Sequence, residues 1–346
     1  MENKETLKTF KYHIIALCLL LTLPLCGQKQ WYFSIEEKHP AEHQYIQDKQ
    51  RILVVNNAVY QPYDFGHSTI IDGENQEKIH VDINKSILYT IFSTAQTMHQ
   101  SGQFEAVEPL EISQNKSSNY YSRTPINHTQ AEQLCSDYQV DALLILNQLV
   151  IYDVLESFST NEGKYYAYLQ AYAQSHWTIH KAGQYRETHF SMADTLLWES
   201  ELHYTRAQSL QQIPPRQEAL LYLAQDLGIK MGNSFIPSWK TARRYFYEIE
   251  TLKDGIDAFR YQRWEKAIEL WKSALDTKDK KTAACAAANI AIAYEMLGYY
   301  DESFAYAEKA YQLFGAWKNA YGRQQQVNIR YYQELLLEKQ ARESDL

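Results

Sequence analysis

Three kinds of hydrophobic spacing follow one another along this chain. Between Arg51 and Asn57 the run RILVVNN is continuously apolar before its two amides, which predicts a central strand buried on both faces. From Ile83 the spacing turns helical. Ile83, Ile87 and Ile91, with Leu88, Phe92 and Ala95, form one wide stripe and predict a helix over about 83–99, started by Asp82 or Asn84 and ended by Ser101-Gly102. Phe104–Glu111 reads as a short strand. Thr129-Gln130-Ala131-Glu132 has capping-box spacing and predicts a short helix carrying Leu134, Cys135 and Tyr138. Ala142–Val154 predicts a long strand.

Residues 165–180 then alternate. Tyr165, Ala167, Leu169, Ala171, Ala173, Trp177 and Ile179 fall on one face. Tyr166, Tyr168, Gln170, Tyr172, Gln174, His176, Thr178 and His180 fall on the other. Period two with one wetter face predicts an antiparallel strand covered on one side. Ala182-Gly183 turns the chain into a third strand, roughly 185–200, so 141–200 reads as a meander. Pro214-Pro215 opens a helix lined by Leu220, Leu223, Leu227 and Met231, and Ile236-Pro237-Ser238-Trp239 stops it. Gln28–Gln50 reads as a polar tether, Tyr60–His80 as a long loop, and Arg243–Tyr247 as a connector. Strands and helices in this order predict an α+β fold, with helices on a mixed sheet.

From Leu252 to Gly315 the pattern changes again, to alternating small and large residues at the spacing of paired antiparallel helices. Gly255, Gln262, Trp264, Ala267, Trp271 and Ala274 recur 36 residues later as Ala291, Gly298, Tyr300, Ser303, Ala307 and Ala310. These positions resemble the tetratricopeptide repeat, a family of about 34-residue helical hairpins. Ser303 and Ala307 depart from the usual Ala and aromatic, and Asp279 stands where Pro is usual. A third amphipathic helix follows, with Val327, Tyr331, Leu335 and Leu336 apolar and Arg330, Glu334, Glu338 and Lys339 charged. It resembles the solvating cap of such stacks. The resemblance implies an all-α module that binds a peptide or partner helix through first-helix positions, here Ile256, Phe259, Arg260, Ile292 and Glu295. The other reading is that the module docks on its own N-terminal domain.

The first residues predict export. Lys4, Lys8 and Lys11 precede the short apolar run Ile14–Leu23, which is too short to span a bilayer stably. Leu23-Pro24-Leu25-Cys26 resembles the bacterial lipobox, in which the Cys receives lipid, although Leu25 stands where a small residue is usual. The alternative is ordinary cleavage after Gly27 and a soluble periplasmic protein. Gly27 in place of Asp favours the outer membrane, and Gln28-Lys29-Gln30 lacks an acidic surface-export run, which favours its periplasmic face. The whole plan resembles a family of Bacteroidota envelope lipoproteins with C-terminal tetratricopeptide repeats. That resemblance implies an address and an architecture and no activity. The expected division is a signal peptide at 1–27, a tether at 28–50, the α/β domain at 51–247 and the repeat module at 248–346.

Composition narrows the partners. A net charge of −8 without a long basic run argues against nucleic acid. The 28 tyrosines suit half-buried sheet faces, and also adaptable binding surfaces. Cys18, Cys26, Cys135 and Cys285 form no CxxC, and Cys135 and Cys285 read as buried thiols. No G-x-S-x-G, phosphate-binding Gly-Lys-Ser/Thr loop or H-E-x-x-H occurs. His176 and His180 share a strand face about 13 Å apart by strand rise, too far to hold one metal together. The sequence therefore names no catalytic residue, metal or cofactor. It points to a protein-interaction scaffold held to the membrane by Cys26. A glycan- or peptide-binding sheet using Tyr166, Tyr168 and Tyr172 is the alternative, and a hydrolase without a recognisable motif the third.

Overall fold

The computed structural model describes residues 29–46, 48–76, 80–117, 119–121 and 124–344. The expected signal peptide and Cys26 lie outside the described residues. The chain divides into two compact units, one of residues 38–238 and one of the described residues up to Glu37 together with those from Trp239 onward. The first is a mixed α/β sheet unit. The second holds an all-helical region of several helices. Among the described residues, no helix is long and apolar enough to cross a membrane.

The first element, β1 (Gln30–His39), lies in the first half of the expected tether. Its alternation of Trp31 and Phe33 with polar residues is short and Glu-rich, so it reads as polar when averaged. The sheet unit follows with β2 (Arg51–Asn56), β3 (His67–Ile71), β4 (Glu74–Asn75), α1 (Asn84–Gln100) and β5 (Ala106–Leu110). It continues with α2 (His128–Tyr138), β6 (Ala142–Ser159), β7 (Tyr165–Lys181), β8 (Thr188–Glu199), α3 (Arg206–Gln211) and α4 (Arg216–Asn233). β2 lies between β5 and β6, parallel to both. As the apolar run predicts, it is buried on both faces. Ile52 and Val54 join the core under α1 and α4, while Leu53 and Val55 join Leu143, Ile145 and Cys135 on the α2 side.

β6 is long enough to serve two partners on one edge. Its first half pairs with β2, and beyond an irregularity at Leu146/Gln148 its second half pairs in parallel with β3. β7 runs antiparallel along the whole of its other edge, and β8 completes the meander. The stretch expected as a loop over 60–80 therefore contains β3 and the short β4 paired with it. Five residues between Gly66 and the turn at Asp72-Gly73 carry too little period to be read alone. At Gly66 φ is +86°, and a Cβ there would lie 2.7 Å from the Tyr152 ring.

The helical unit opens with β9 (Ser238–Tyr247), where a connector is expected. β9 pairs with β1 as a two-stranded sheet. Lys29 lies beside Glu248 and Glu36 beside Thr241, so the strands run in opposite directions. Then come α5 (Lys253–Arg260), α6 (Trp264–Ser273), α7 (Lys280–Met296), α8 (Tyr300–Gly315) and α9 (Ala320–Ser344), each packed on the next. The two hairpins close alike. Gln262 and Gly298 are both left-handed, at φ +58° and +76°, and the following N–H reaches back five residues, Arg263 to Ala258 and Tyr299 to Tyr294, each at 3.0 Å.

Candidate functional site

The helix face expected to receive a partner is filled by the chain's own ribbon. Ile256, Phe259 and Ile292 are buried in the unit's core. Phe33 and Phe246 from the ribbon pack on Phe259 at ring separations of 5.1 and 4.4 Å, and Phe246 also lies 5.0 Å from Trp271. Asn289 seals the edge of β9, accepting from the Tyr247 N–H at 2.8 Å and donating to its carbonyl at 3.1 Å. Of the five expected contact residues only Arg260 is exposed, and its guanidinium lies over the Trp31 ring, 4.7 Å from the centroid. The expectation of a free first-helix groove is corrected accordingly: two strands rich in aromatic residues desolvate that face.

Glu295, the fifth expected residue, is buried in an ion cluster. Arg244 on β9 donates to its two oxygens, Nε to Oε2 at 3.0 Å and Nη2 to Oε1 at 2.8 Å. The same Nη2 reaches Glu37 on β1 at 2.6 Å, Lys339 lies 3.2 Å from Glu295, and the Tyr332 hydroxyl donates to Glu295 at 2.8 Å. Burial pushes the Glu295 carboxyl up, but the hydrogen bonds and charge of Arg244, with Lys339 and Tyr332, outweigh it and hold the group below the usual carboxylate range. Burial drives the Tyr332 phenol far above its usual value.

Beside this cluster the unit leaves a recess of about 250 Å³, lined by Tyr32, Arg243, Tyr245, Ile292, Tyr331 and Leu335 among others. Two arginines and no carboxylate line it. Tyr32 and Tyr331 stand exposed at its mouth. Of these tyrosines spacing marks out Tyr331 alone, on the apolar side of the last helix, because the recess converges from β1, β9 and α9.

Two polar clusters of the sheet unit pair a histidine with a carboxylate. In the first, His67 on β3 contacts the Asp153 carboxylate on β6 through Nδ1, and Arg216 Nε lies 2.9 Å from the other carboxylate oxygen. Arg216 also donates to the Ser68 carbonyl and to Thr69, so the cluster ties the start of α4 to β3. In the second, one possible ligand atom from each of His128, Glu132 and His180 lies within 4.8 Å of the others. The paired candidates His176 and His180 do not cooperate. His176 Nδ1 meets Ser191 Oγ at 2.6 Å, while His180 is fully buried, not on a solvated face. The sequence signal for its real neighbours is the His128/Glu132 spacing of four on one helix. The expected capping box conceals it. The box actually formed is Asn127–Gln130, two residues earlier, which leaves Glu132 free to reach across to His180. Cys135 is buried as expected, and burial pushes its thiol up to about 11.

The tyrosine stripe of β7 lies opposite the face covered by α1 and α4, and its rings are half-buried. The Tyr166 hydroxyl donates to Glu199 and that of Tyr168 to Glu156, while Tyr172 stacks on Tyr152 at 6.1 Å. The helices therefore do not hide these rings; cross-strand partners fix them.

Residues 49–247 match the family described as "Domain of unknown function (DUF8603)". The match covers more than half of the chain, and the chain belongs to that family. Residues 253–338 match a second one, "Domain of unknown function (DUF6340)". No curated protein matches the chain.

Proposed function

We propose that this is an exported lipoprotein, anchored through Cys26 to the periplasmic face of the outer membrane, that works as a protein-interaction scaffold and not as an enzyme. Its C-terminal helices are a tetratricopeptide-repeat module, a reading supported by the paired left-handed turns at Gln262 and Gly298. The first-helix face of that module is occupied by the ribbon, so the partner is received in the tyrosine-lined recess. The occupant is an extended peptide segment with one aromatic or aliphatic anchor beside a carboxylate. The observation that carries this is the recess itself: two arginines, five tyrosines and no acid line it. Its volume, below the roughly 300–1,000 Å³ of small-molecule sites, suits one or two side chains.

The test uses the full-length protein in its native envelope, with a photoreactive residue in place of Tyr331. A discrete cross-linked product that disappears with Arg243→Glu supports the recess. No product, or one indifferent to Arg243→Glu, refutes it. Attachment is tested by fractionation. One acyl chain binds a membrane marginally and two or more hold firmly. Wild type is expected with outer membranes, and Cys26→Ser as a soluble protein or uncleaved precursor. Soluble wild type beginning at Gln28 would show ordinary cleavage instead.

One observation favours the glycan- or peptide-binding alternative. The Tyr166, Tyr168 and Tyr172 rings lie on the sheet face turned away from α1 and α4. If it is a platform, glycan or peptide will protect these rings from tyrosine labelling; unchanged labelling leaves the rings a packing lattice.

A further inference from the structure

We propose that His128, Glu132 and His180 form a three-ligand site for a divalent transition ion, zinc by the chemistry of the donors. His128 and Glu132 stand four residues apart on α2 and so share one face. His180 comes from β7, and its Nε2 lies 2.9 Å from Glu132 Oε1. A tetrahedral ion with bonds of about 2.0–2.1 Å places its ligand atoms about 3.3 Å apart. The His180–Glu132 pair needs to open by only a few tenths of an ångström. All three donors already lie within 4.8 Å of one another.

Two further observations point to a ligand. The Nδ1 atom of His128 is buried without a hydrogen-bond partner, and that of the fully buried His180 has only the Glu187 carboxylate, 3.6 Å away. Leaving such atoms unpaired costs free energy that an ion or a tightened contact would relieve. The far side of His180 also fits a metal ligand. Glu187 Oε1 lies 3.6 Å from Nδ1 and can accept that N–H, which leaves Nε2 as the metal-facing nitrogen. A carboxylate behind a ligating imidazole sets its tautomer and orientation in metal sites. Tyr185 stacks on the His128 ring at 4.3 Å and fixes its plane.

The donor set selects a first-row transition ion over magnesium or calcium. Two imidazoles and one carboxylate suit zinc, whereas magnesium and calcium take oxygen ligands. Glu132 stays tied to the β7–β8 turn, where the same Oε1 accepts the Gly183 N–H at 2.9 Å and keeps a second lone pair for the ion. Its side chain is 35% exposed, so a water can complete the fourth position. The bound ion would clip α2 to β7 and to the turn after it. His176 and His189, bonded to Ser191 and Thr178, take no part.

The full-length chain, stripped with a chelator, is titrated with zinc by calorimetry and with cobalt by visible spectroscopy. One equivalent is expected, with the absorption of four-coordinate cobalt and a higher melting temperature in zinc. His128→Gln and Glu132→Gln should each weaken binding at least about tenfold, and Glu187→Gln by about 10–100-fold as a positioning residue. His176→Gln should bind as wild type. Circular dichroism of each apo variant establishes that it is folded. Absence of saturable binding by the wild type, or binding that survives both His128→Gln and Glu132→Gln, overturns the site. Unchanged affinity in Glu187→Gln overturns its positioning role.

Discussion

Arg244 and Glu295 face each other through two hydrogen bonds, Nε to Oε2 at 3.0 Å and Nη2 to Oε1 at 2.8 Å, in the interior of the helical unit. Arg244 belongs to β9 and Glu295 to α7, so the pair fixes the ribbon on the helices. Removing Glu295 leaves two buried cations, Arg244 and Lys339, sharing the Glu37 carboxylate, at a cost of up to about 3–5 kcal/mol. Glu295→Gln should therefore lower the melting temperature of this unit sharply. The pH dependence has a definite sign. The Glu295 carboxyl is held below its ordinary value of 4.5 when folded, so its contribution is complete above that value and is lost as pH falls through the folded pKa. Wild type should lose stability over that acid range, and Glu295→Gln should show a flatter acid limb in melts recorded against pH. Parallel acid limbs would remove the role assigned to the pair.

The sheet unit has its own close approach, between α1 and α4. Thr90 and Thr94 donate to the carbonyls of Ala224 and Gly228, each at 3.1 Å. A Cβ on Gly228 would lie 2.4 Å from the Thr90 carbonyl oxygen, a backbone atom that cannot swing away. Gly228→Ala should cost about 1–3 kcal/mol by overpacking, despite the higher helix propensity of Ala. Chemical denaturation measures it. A stability gain, the result expected of an open helix position, would contradict the crossing.

What the sequence made legible follows the strength of its periods. β2, α1, β7 and α4 each carry four or more apolar residues in one clear register, and each is found within a residue or two of where that register places it. β1, β3 and β9 escaped because their strands are short, polar in average composition or interrupted by charge. That miss had consequences for the site. Without β1 and β9, Phe259 and Ile292 read as the lining of an open groove, although Phe33 and Phe246 cover that face. The recess and the His128, Glu132 and His180 cluster are products of convergence. Each joins elements far apart in sequence, and within one element the sequence offers only fragments, such as the His128/Glu132 spacing or the Tyr331/Leu335 side of α9.

The Tyr166 phenol is pushed up to about 12, first by the hydrogen bond it gives to the Glu199 carboxylate across the β7–β8 ladder. A free tyrosine titrates near about 10. In a spectroscopic alkaline titration, Glu199→Gln should move one phenol back towards that value, and Tyr166→Phe should remove one phenol from the high-pH component, leaving buried ones such as Tyr332 in place. If Glu199→Gln leaves the titration unchanged, the rings of this stripe are held by something other than their carboxylate partners.

The α5–α6 hairpin makes opposite predictions at neighbouring positions. Gly255 on α5 faces Trp271 on α6, and a Cβ there would come within 2.1–2.6 Å of three indole atoms. The indole has little freedom to retreat, because its Nε1 donates to the Leu252 carbonyl at 2.9 Å. Ala267 is fully buried in the same core. Gly255→Ala and Ala267→Leu should therefore each destabilise the unit by about 1–3 kcal/mol. Gln262, in the turn between those helices, adopts φ +58°, a conformation that costs an L-residue about 1–2 kcal/mol. Gln262→Gly relieves that cost, partly offset by the greater freedom of glycine in the unfolded chain, and should leave the protein slightly more stable. Melts of the full chain followed by tryptophan fluorescence read all three. Two losses and one gain are the signature of a close-packed helical hairpin closed by a left-handed residue. Unchanged melting for both Gly255→Ala and Ala267→Leu would show that the helices do not cross at these positions, and the tetratricopeptide reading would fall with them.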